Sequence, residues 1–303
     1  MPLSITTPLL ESLPPGQLNQ TRVWLKMEAL QPSGSFKIRG VGHACETHYA
    51  RGARRFISSS GGNAGLAVAY AGRQLGVPVI VVVPETASVR ARQLLVLEGA
   101  EVRVHGSTWA EANDLALSLL TDNDAFIHPF DDPLLWQGHA TMIDEVVAAG
   151  VRPDAVVLSV GGGGLLAGVG EGLLRNGLQD VPVYAVETAG MASYAAALSA
   201  GQPVELAQLS GVATSLGARQ VCQRAVDLSR ELNITSVTVS DRQAVDACLS
   251  LLDDQRVLVE PACGAALAAL YCRKLPLDGV NNVLVIVCGG STATVASLQS
   301  FAG

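Results

Sequence analysis

The sequence predicts an α/β fold of two domains, each an open, mostly parallel twisted sheet flanked by helices. Two observations carry this. Short β-branched runs alternate with longer segments of helical period, the pattern of strand–helix–strand units joined by right-handed crossovers. The chain also has 303 residues, 49% apolar and only 16% charged, which suits two ordered domains at about 150 residues each.

In chain order, strands are expected around Trp24–Glu28 and then at Phe56–Ser58, Val79–Val83, Glu101–His105, Asp154–Val160, Val183–Glu187, Thr235–Val239 and Val283–Val287. Helical stretches separate them. No internal repeat or long linker interrupts the series.

Composition removes several classes of function. The opening MPLSITTPLLESLPPG carries no basic residue before Arg22, so no secretory or transit peptide is expected. Apolar runs such as Val77–Val83 and Ala155–Val169 stop short of the roughly 20 residues of a spanning helix. A net charge of −7 argues against a nucleic-acid partner, which would demand dense basic contacts. The small Arg51–Arg55 cluster reads as a solvated helix end. Six cysteines (Cys45, Cys222, Cys248, Cys263, Cys272, Cys288) show no CxxC or CxxH spacing, which points to buried free thiols in a cytoplasmic protein. The histidines lack metal spacing; none is assigned a catalytic role, and His139 reads as a satisfied structural histidine.

Four segments carry the chemistry, each at the carboxyl end of an expected strand or just before a helix, where α/β sheets bind ligands. PSGSFKIRG (Pro32–Gly40) puts Lys37 at a helix start, an unfavourable place for a cation; alone it reads either as a surface lysine or as the desolvated amine that Schiff-base chemistry requires. SVGGGGLLAG (Ser159–Gly168) opens a helix with four consecutive glycines, whose N–H groups can converge on a phosphate. Gly162, Gly164 and Ala167 also fit GxGxxA, with Glu187 ending the next strand, so this segment alone suits a dinucleotide and another phosphate ligand equally. SSSGGNAG (Ser58–Gly65) suits a carboxylate, or else an ordinary helix cap made by Ser60 and Asn63. VIVCGG (Val285–Gly290) places Cys288 at a strand end.

Together with TPLLES, PFDDPLLWQGHA (Pro129–Ala140) and VEPACGAALAA (Val259–Ala269), these segments resemble, nearly end to end, the serine/threonine dehydratase branch of the fold type II pyridoxal-phosphate (PLP) enzymes, which share the tryptophan synthase β-like fold. The serine dehydratase-like proteins are the nearest match. The resemblance implies a large domain of residues 1–28 plus 131–303, a small domain of 29–130 and an active site in the cleft between them. It implies that Lys37 is the catalytic and Schiff-base lysine, that Phe36 packs beside the cofactor ring and that Asn63 bonds the ring hydroxyl. Gly161, Gly162, Gly163, Gly164 and Leu165 would cradle the phosphate, and Cys288 would be a neutral partner for the ring nitrogen. Ser60, Gly61, Gly62, Asn63 and Ala64 would hold the substrate carboxylate.

Glu187, Ser193, Leu216 and Ala218 match the surroundings of K+ or another monovalent cation in the family. A homodimer and an amino-acid substrate are implied as well. The implied reaction is β-elimination, converting L-serine to pyruvate and L-threonine to 2-oxobutanoate, each with ammonia. In related serine racemases a serine precedes the Gly-Asn pair; here that position is Gly61, which has no side chain to serve as a second acid. A racemase, another amino-acid lyase, an NAD-dependent oxidoreductase and a scaffold without cofactor are the rival readings.

Overall fold

The structure, a computed structural model, describes residues 3–302. Six strands form the larger sheet, in the order β1 (Leu9–Glu11), β2 (Arg22–Lys26), β10 (Asn282–Ile286), β7 (Ala155–Ser159), β8 (Val183–Thr188) and β9 (Ile234–Val239). Only the β1–β2 pair is antiparallel. The smaller sheet runs β5 (Glu101–Val104), β4 (Val79–Val83), β3 (Arg55–Ser58), β6 (Asp124–Phe126), all parallel.

Every residue of β4 and β7 is buried, as parallel strands covered by helices on both faces must be. Against the larger sheet lies the helix Pro261–Tyr271, buried from Pro261 through Leu270. Its Gly264 faces the helix Asp241–Gln255 instead, where a Cβ would lie 2.1 Å from the Ala244 carbonyl oxygen. Among the described residues no helix is long and apolar enough to cross a membrane.

The expected strands are all present, with ends moved by a residue or two. The first differs most. It spans Arg22–Lys26 rather than Trp24–Glu28, because the chain turns into a 3-10 helix at Glu28–Leu30. Leu9–Glu11 and Asp124–Phe126 were not expected, since three residues are too few to show a period. Cys272 departs from its expected burial. It lies exposed at the end of the helix Pro261–Tyr271, whereas the other five cysteines are buried and free.

The helix Lys37–Ala50 is held by a buried ionic cluster at its first turn. Arg39 donates to both oxygens of Glu28, at 2.7 and 2.8 Å, and to both oxygens of Glu145, at 2.7 Å each. Thr7 adds a 2.6 Å bond to Glu28, and Lys26 bonds Glu145 and the Thr7 carbonyl. Two cations thus meet two carboxylates, and the site is neutral. Burial alone would raise the Glu145 pKa, but the hydrogen bonds from Arg39 and Lys26 bring it below its usual value. On the same helix a Cβ on Gly40 would lie 2.4 Å from the Leu135 carbonyl oxygen, and one on Gly138 of the helix Pro133–Ala148 would lie 2.3 Å from that of Arg39. The two helices therefore touch backbone to backbone.

Removing one member of a buried ion cluster strands its partners, typically at a cost of about 3–5 kcal/mol. Arg39→Met should lower the unfolding free energy by that amount in urea titrations. A loss below about 1 kcal/mol would show that the cluster holds the helix no better than a surface pair.

Candidate active site

Lys37 is the first residue of its helix, and the loop before it is sewn to the end of β10. The Phe36 N–H donates to the Cys288 carbonyl at 3.0 Å, the Gly290 N–H donates to the Gly34 carbonyl at 3.0 Å, and Ser35 bridges Gly289. A Cβ on Gly289, whose φ is +99°, would sit 2.5 Å from the Gly34 oxygen. Only glycine permits this approach.

The Lys37 amine donates to the Pro129 carbonyl at 2.5 Å and lies 5.1 Å from the centre of the Phe36 ring. Phe36 packs in turn on His139, 4.8 Å between ring centres. No carboxylate pairs with Lys37 among the described residues. Burial therefore lowers its pKa to about 8, with the Cys288 and Cys222 thiols opposing. Cys288 is itself buried, and its thiol pKa is pushed well up by the Cys263 thiol and by burial.

Gly161–Gly164 link β7 to the helix Gly164–Arg175. Among the described residues none of the N–H groups from Gly161 to Leu165 has a protein acceptor. Five donors are left for a ligand, the arrangement that binds anions at helix starts. A Cβ on Gly162 would fall 2.4 Å from the Phe130 ring, and one on Gly163, at φ +91°, would fall 2.7 Å from Ala225.

The loop after β6 lies between lysine and glycines. His128 Nδ1 accepts from the N–H groups of Phe130 and Asp131 at 3.2 and 2.7 Å, and Trp136 donates to the Phe130 carbonyl at 2.9 Å. Burial, together with the Lys37 charge, lowers the His128 pKa to about 4. The imidazole is neutral and fixes the turn that presents the Pro129 carbonyl.

Asn63 begins the helix Asn63–Leu75, whose N-cap is Gly62 without a side-chain bond. The capping alternative for Ser60 and Asn63 therefore fails: Ser60 Oγ accepts only from the Gly62 N–H, at 3.3 Å. Asn63 instead bonds distant parts of the chain, its Nδ2 donating to Glu260 at 2.9 Å and to the Ser215 hydroxyl at 3.5 Å, and its Oδ1 accepting from the Ser291 N–H at 2.9 Å. Ser60, Gly61 and Gly62 are partly exposed, whereas Ala64 is buried.

Glu187 is fully buried at the end of β8, where it accepts from the N–H groups of Tyr194 and Ala195 at 2.7 and 2.9 Å. Burial raises its pKa to about 7 against those two bonds. Tied down in this way it is not placed for a ribose, which removes the dinucleotide reading. The Ser193 hydroxyl beside it is buried without a protein partner, and the Leu216 carbonyl accepts from the Ala218 N–H at 2.7 Å. His139 is only half satisfied, contrary to expectation. Nδ1 accepts from the Gly40 N–H at 3.2 Å, while Nε2 is buried without a partner among the described residues.

Residues 2–289 match the model of the pyridoxal-phosphate dependent enzymes. The chain belongs to that family. It is 49% identical over 308 residues to the serine dehydratase-like protein of Mus musculus, covering 98% of this chain and 94% of the relative. It is 46% identical to the L-serine dehydratase/L-threonine deaminase of Homo sapiens, covering 99% of this chain and 94% of that protein. Among solved structures, the fungal L-serine ammonia-lyase of Rhizomucor miehei superimposes with a TM-score of 0.94 at 36% identity, covering 99% of this chain and 98% of that one.

Two parts of the site escaped sequence reasoning. The Pro129–Phe130 backstop carried no chemical signal of its own, and Glu260, standing before Pro261, reads only as a helix cap.

A desolvated amine reacts at lower pH than a solvated one. In the cofactor-free protein, modification of Lys37 by an amine-reactive reagent should reach half its limiting rate near pH 8, while a reference peptide carrying one free lysine follows at about 10.4. Peptide mapping by mass spectrometry across pH measures both. Coincident profiles would refute the desolvation of Lys37.

Proposed function

We propose that this chain is a PLP-dependent ammonia-lyase that converts L-serine to pyruvate and ammonia and L-threonine to 2-oxobutanoate and ammonia. The observation that carries the reading is a lysine with no carboxylate partner and a pKa near 8, in a cleft shared with five unpaired N–H groups at Gly161–Leu165. The family match and the serine and threonine dehydratase relatives support it.

The residues fit the cofactor. The open N–H groups of Gly161, Gly162, Gly163, Gly164 and Leu165 suit its phosphate, the second Nδ2 hydrogen of Asn63, held only by a 3.5 Å contact to Ser215, suits its ring hydroxyl, and the neutral Cys288 thiol suits an unprotonated ring nitrogen. Phe36 lies beside Lys37, as a ring neighbour would. When bound, PLP supplies an electron sink for the bond broken at the substrate Cα.

Lys37 would hold the cofactor through Nζ and, once displaced by the substrate amine, its free amine would take the Cα proton. The Pro129 carbonyl keeps Nζ in place. The loop of Ser60, Gly61, Gly62, Asn63 and Ala64 orients the substrate carboxylate. Loss of the β-hydroxyl as water, followed by entry of one water as the nitrogen departs, leaves the 2-oxo acid and ammonia with atoms balanced.

The reading extends to a small domain of 29–130 closing on a large domain of 1–28 plus 131–303. It extends also to K+ or another monovalent cation among Glu187, Ser193, Leu216 and Ala218, which the unpartnered Ser193 hydroxyl supports. A homodimer and a cytoplasmic location complete it.

Lys37→Ala should abolish turnover and borohydride-fixed cofactor while far-ultraviolet circular dichroism stays unchanged. A reduced adduct mapped to Lys26 or Lys274 in the parent protein would overturn the assignment.

Elimination should also far exceed racemisation. A second acid on the face opposite Lys37 is what racemisation needs, and Gly61 offers none. A serine there would have its Cβ 3.2 Å from Val83 and 3.3 Å from Ala87, so Gly61→Ser should gain racemisation only if those neighbours shift. Chiral chromatography should find pyruvate with negligible D-serine in the parent protein; D-serine formed at a comparable rate would sink the claim.

A further inference from the structure

Glu260 stands directly before a proline-led helix, yet its side chain does not cap that helix. It is 5% exposed, and both carboxylate oxygens are committed elsewhere. Oε1 accepts from the Thr292 N–H at 3.1 Å and the Thr292 hydroxyl at 2.6 Å. Oε2 accepts from Asn63 Nδ2 at 2.9 Å and the Ser215 hydroxyl at 2.6 Å. All four donors are neutral, and no cation pairs with the carboxylate among the described residues. Glu260 is therefore not one half of an ion pair.

Room has been made for this side chain. Gly290 has φ +141°, and a Cβ there would lie 2.2 Å from Glu260 Cγ. Any other residue at 290 would push the carboxylate out of reach of Thr292 and Asn63.

The geometry also settles which way the Asn63 amide faces. Glu260 requires an N–H donor at one end, and the Ser291 N–H requires an acceptor at the other. Turning the amide over would set oxygen against carboxylate and N–H against N–H. The other Nδ2 hydrogen has only a long contact, 3.5 Å to the Ser215 hydroxyl, which a ligand oxygen can replace.

We infer that Glu260 is a positioning residue for the reaction: it orients the Asn63 amide toward the cofactor ring and fastens the Ser60–Ala64 loop to the opposite wall of the cleft. This rests on the proposed function, because it takes Asn63 as the ring-hydroxyl ligand. Glu260 acts through Asn63 and touches no reacting atom.

The test is a double-mutant cycle in the holoenzyme with Glu260→Ala, Asn63→Ala and the pair. Each single change should lower kcat/KM for L-serine about tenfold, the scale of one lost buried hydrogen bond. The pair should lose no more than Asn63→Ala alone. In Glu260→Ala the dissociation constant for PLP should rise, and backbone amides of residues 60–66 should exchange hydrogen faster. Glu260→Gln keeps the shape and carries the same cycle should the alanine variant not fold. Multiplicative losses, or unchanged exchange in that loop, overturn the inference. Borohydride should still fix the cofactor to Lys37 in every Glu260 variant; absence of that adduct from the parent protein would instead refute the function reading.

Discussion

The main-chain pairing of Gly34–Phe36 with Cys288–Gly290 is the constraint on which the site depends. Lys37 enters its helix straight from that pairing, so the position of its amine is set by β10 and not by rotamer choice alone. The strand end that carries Cys288 is thereby delivered to the same place. Two groups separated by most of the chain become one unit because a short irregular segment borrows the edge of a strand end. The cost is glycine at 34 and 289, both at positive φ.

A second theme is the contrast between two lysines. Lys26 sits between Glu145 and Glu28, and Arg39 is held by the same carboxylates. Lys37, two residues before Arg39, has a carbonyl for company and nothing charged. Successive helix positions turn by about 100°, so residues 37 and 39 face nearly opposite ways. One side of the first turn anchors the helix through compensated charge, while the other leaves its amine uncompensated and reactive. Stability and reactivity are separated by a rotation within a single turn.

Much of this was legible in the chain. Strand–helix alternation gave both sheets, since long apolar parallel strands such as Val79–Val83 are strong local signals. Lys37, Asn63, Cys288 and the glycine loop lie in segments at strand ends or helix starts, where α/β sheets bind ligands, but their roles were read from the family resemblance that those segments carry together and not from residue type alone. Cross-chain partnerships were not legible. Nothing near Glu260 in sequence announces Asn63, Ser215 and Thr292, and nothing in the run containing His139 tells that its Nε2 will meet no acceptor. Cys272 was misjudged because the apolar run before it continues the helical pattern one residue further than the core does. Such features arise from which surfaces meet, and local pattern does not encode that.

The open donors of Gly161–Leu165 also bear on folding itself. Unpaired N–H groups gathered at one helix start are an unfavourable arrangement that an anion relieves. Whatever occupies the loop adds its binding free energy to the native state alone, worth about 2.7 kcal/mol at a hundredfold excess over the dissociation constant. On the proposed reading that this ligand is the cofactor's phosphate, supply of the cofactor would set how much of the chain is folded as well as how much is active, and a cell short of it would hold this protein closer to the threshold at which unfolded chains are cleared.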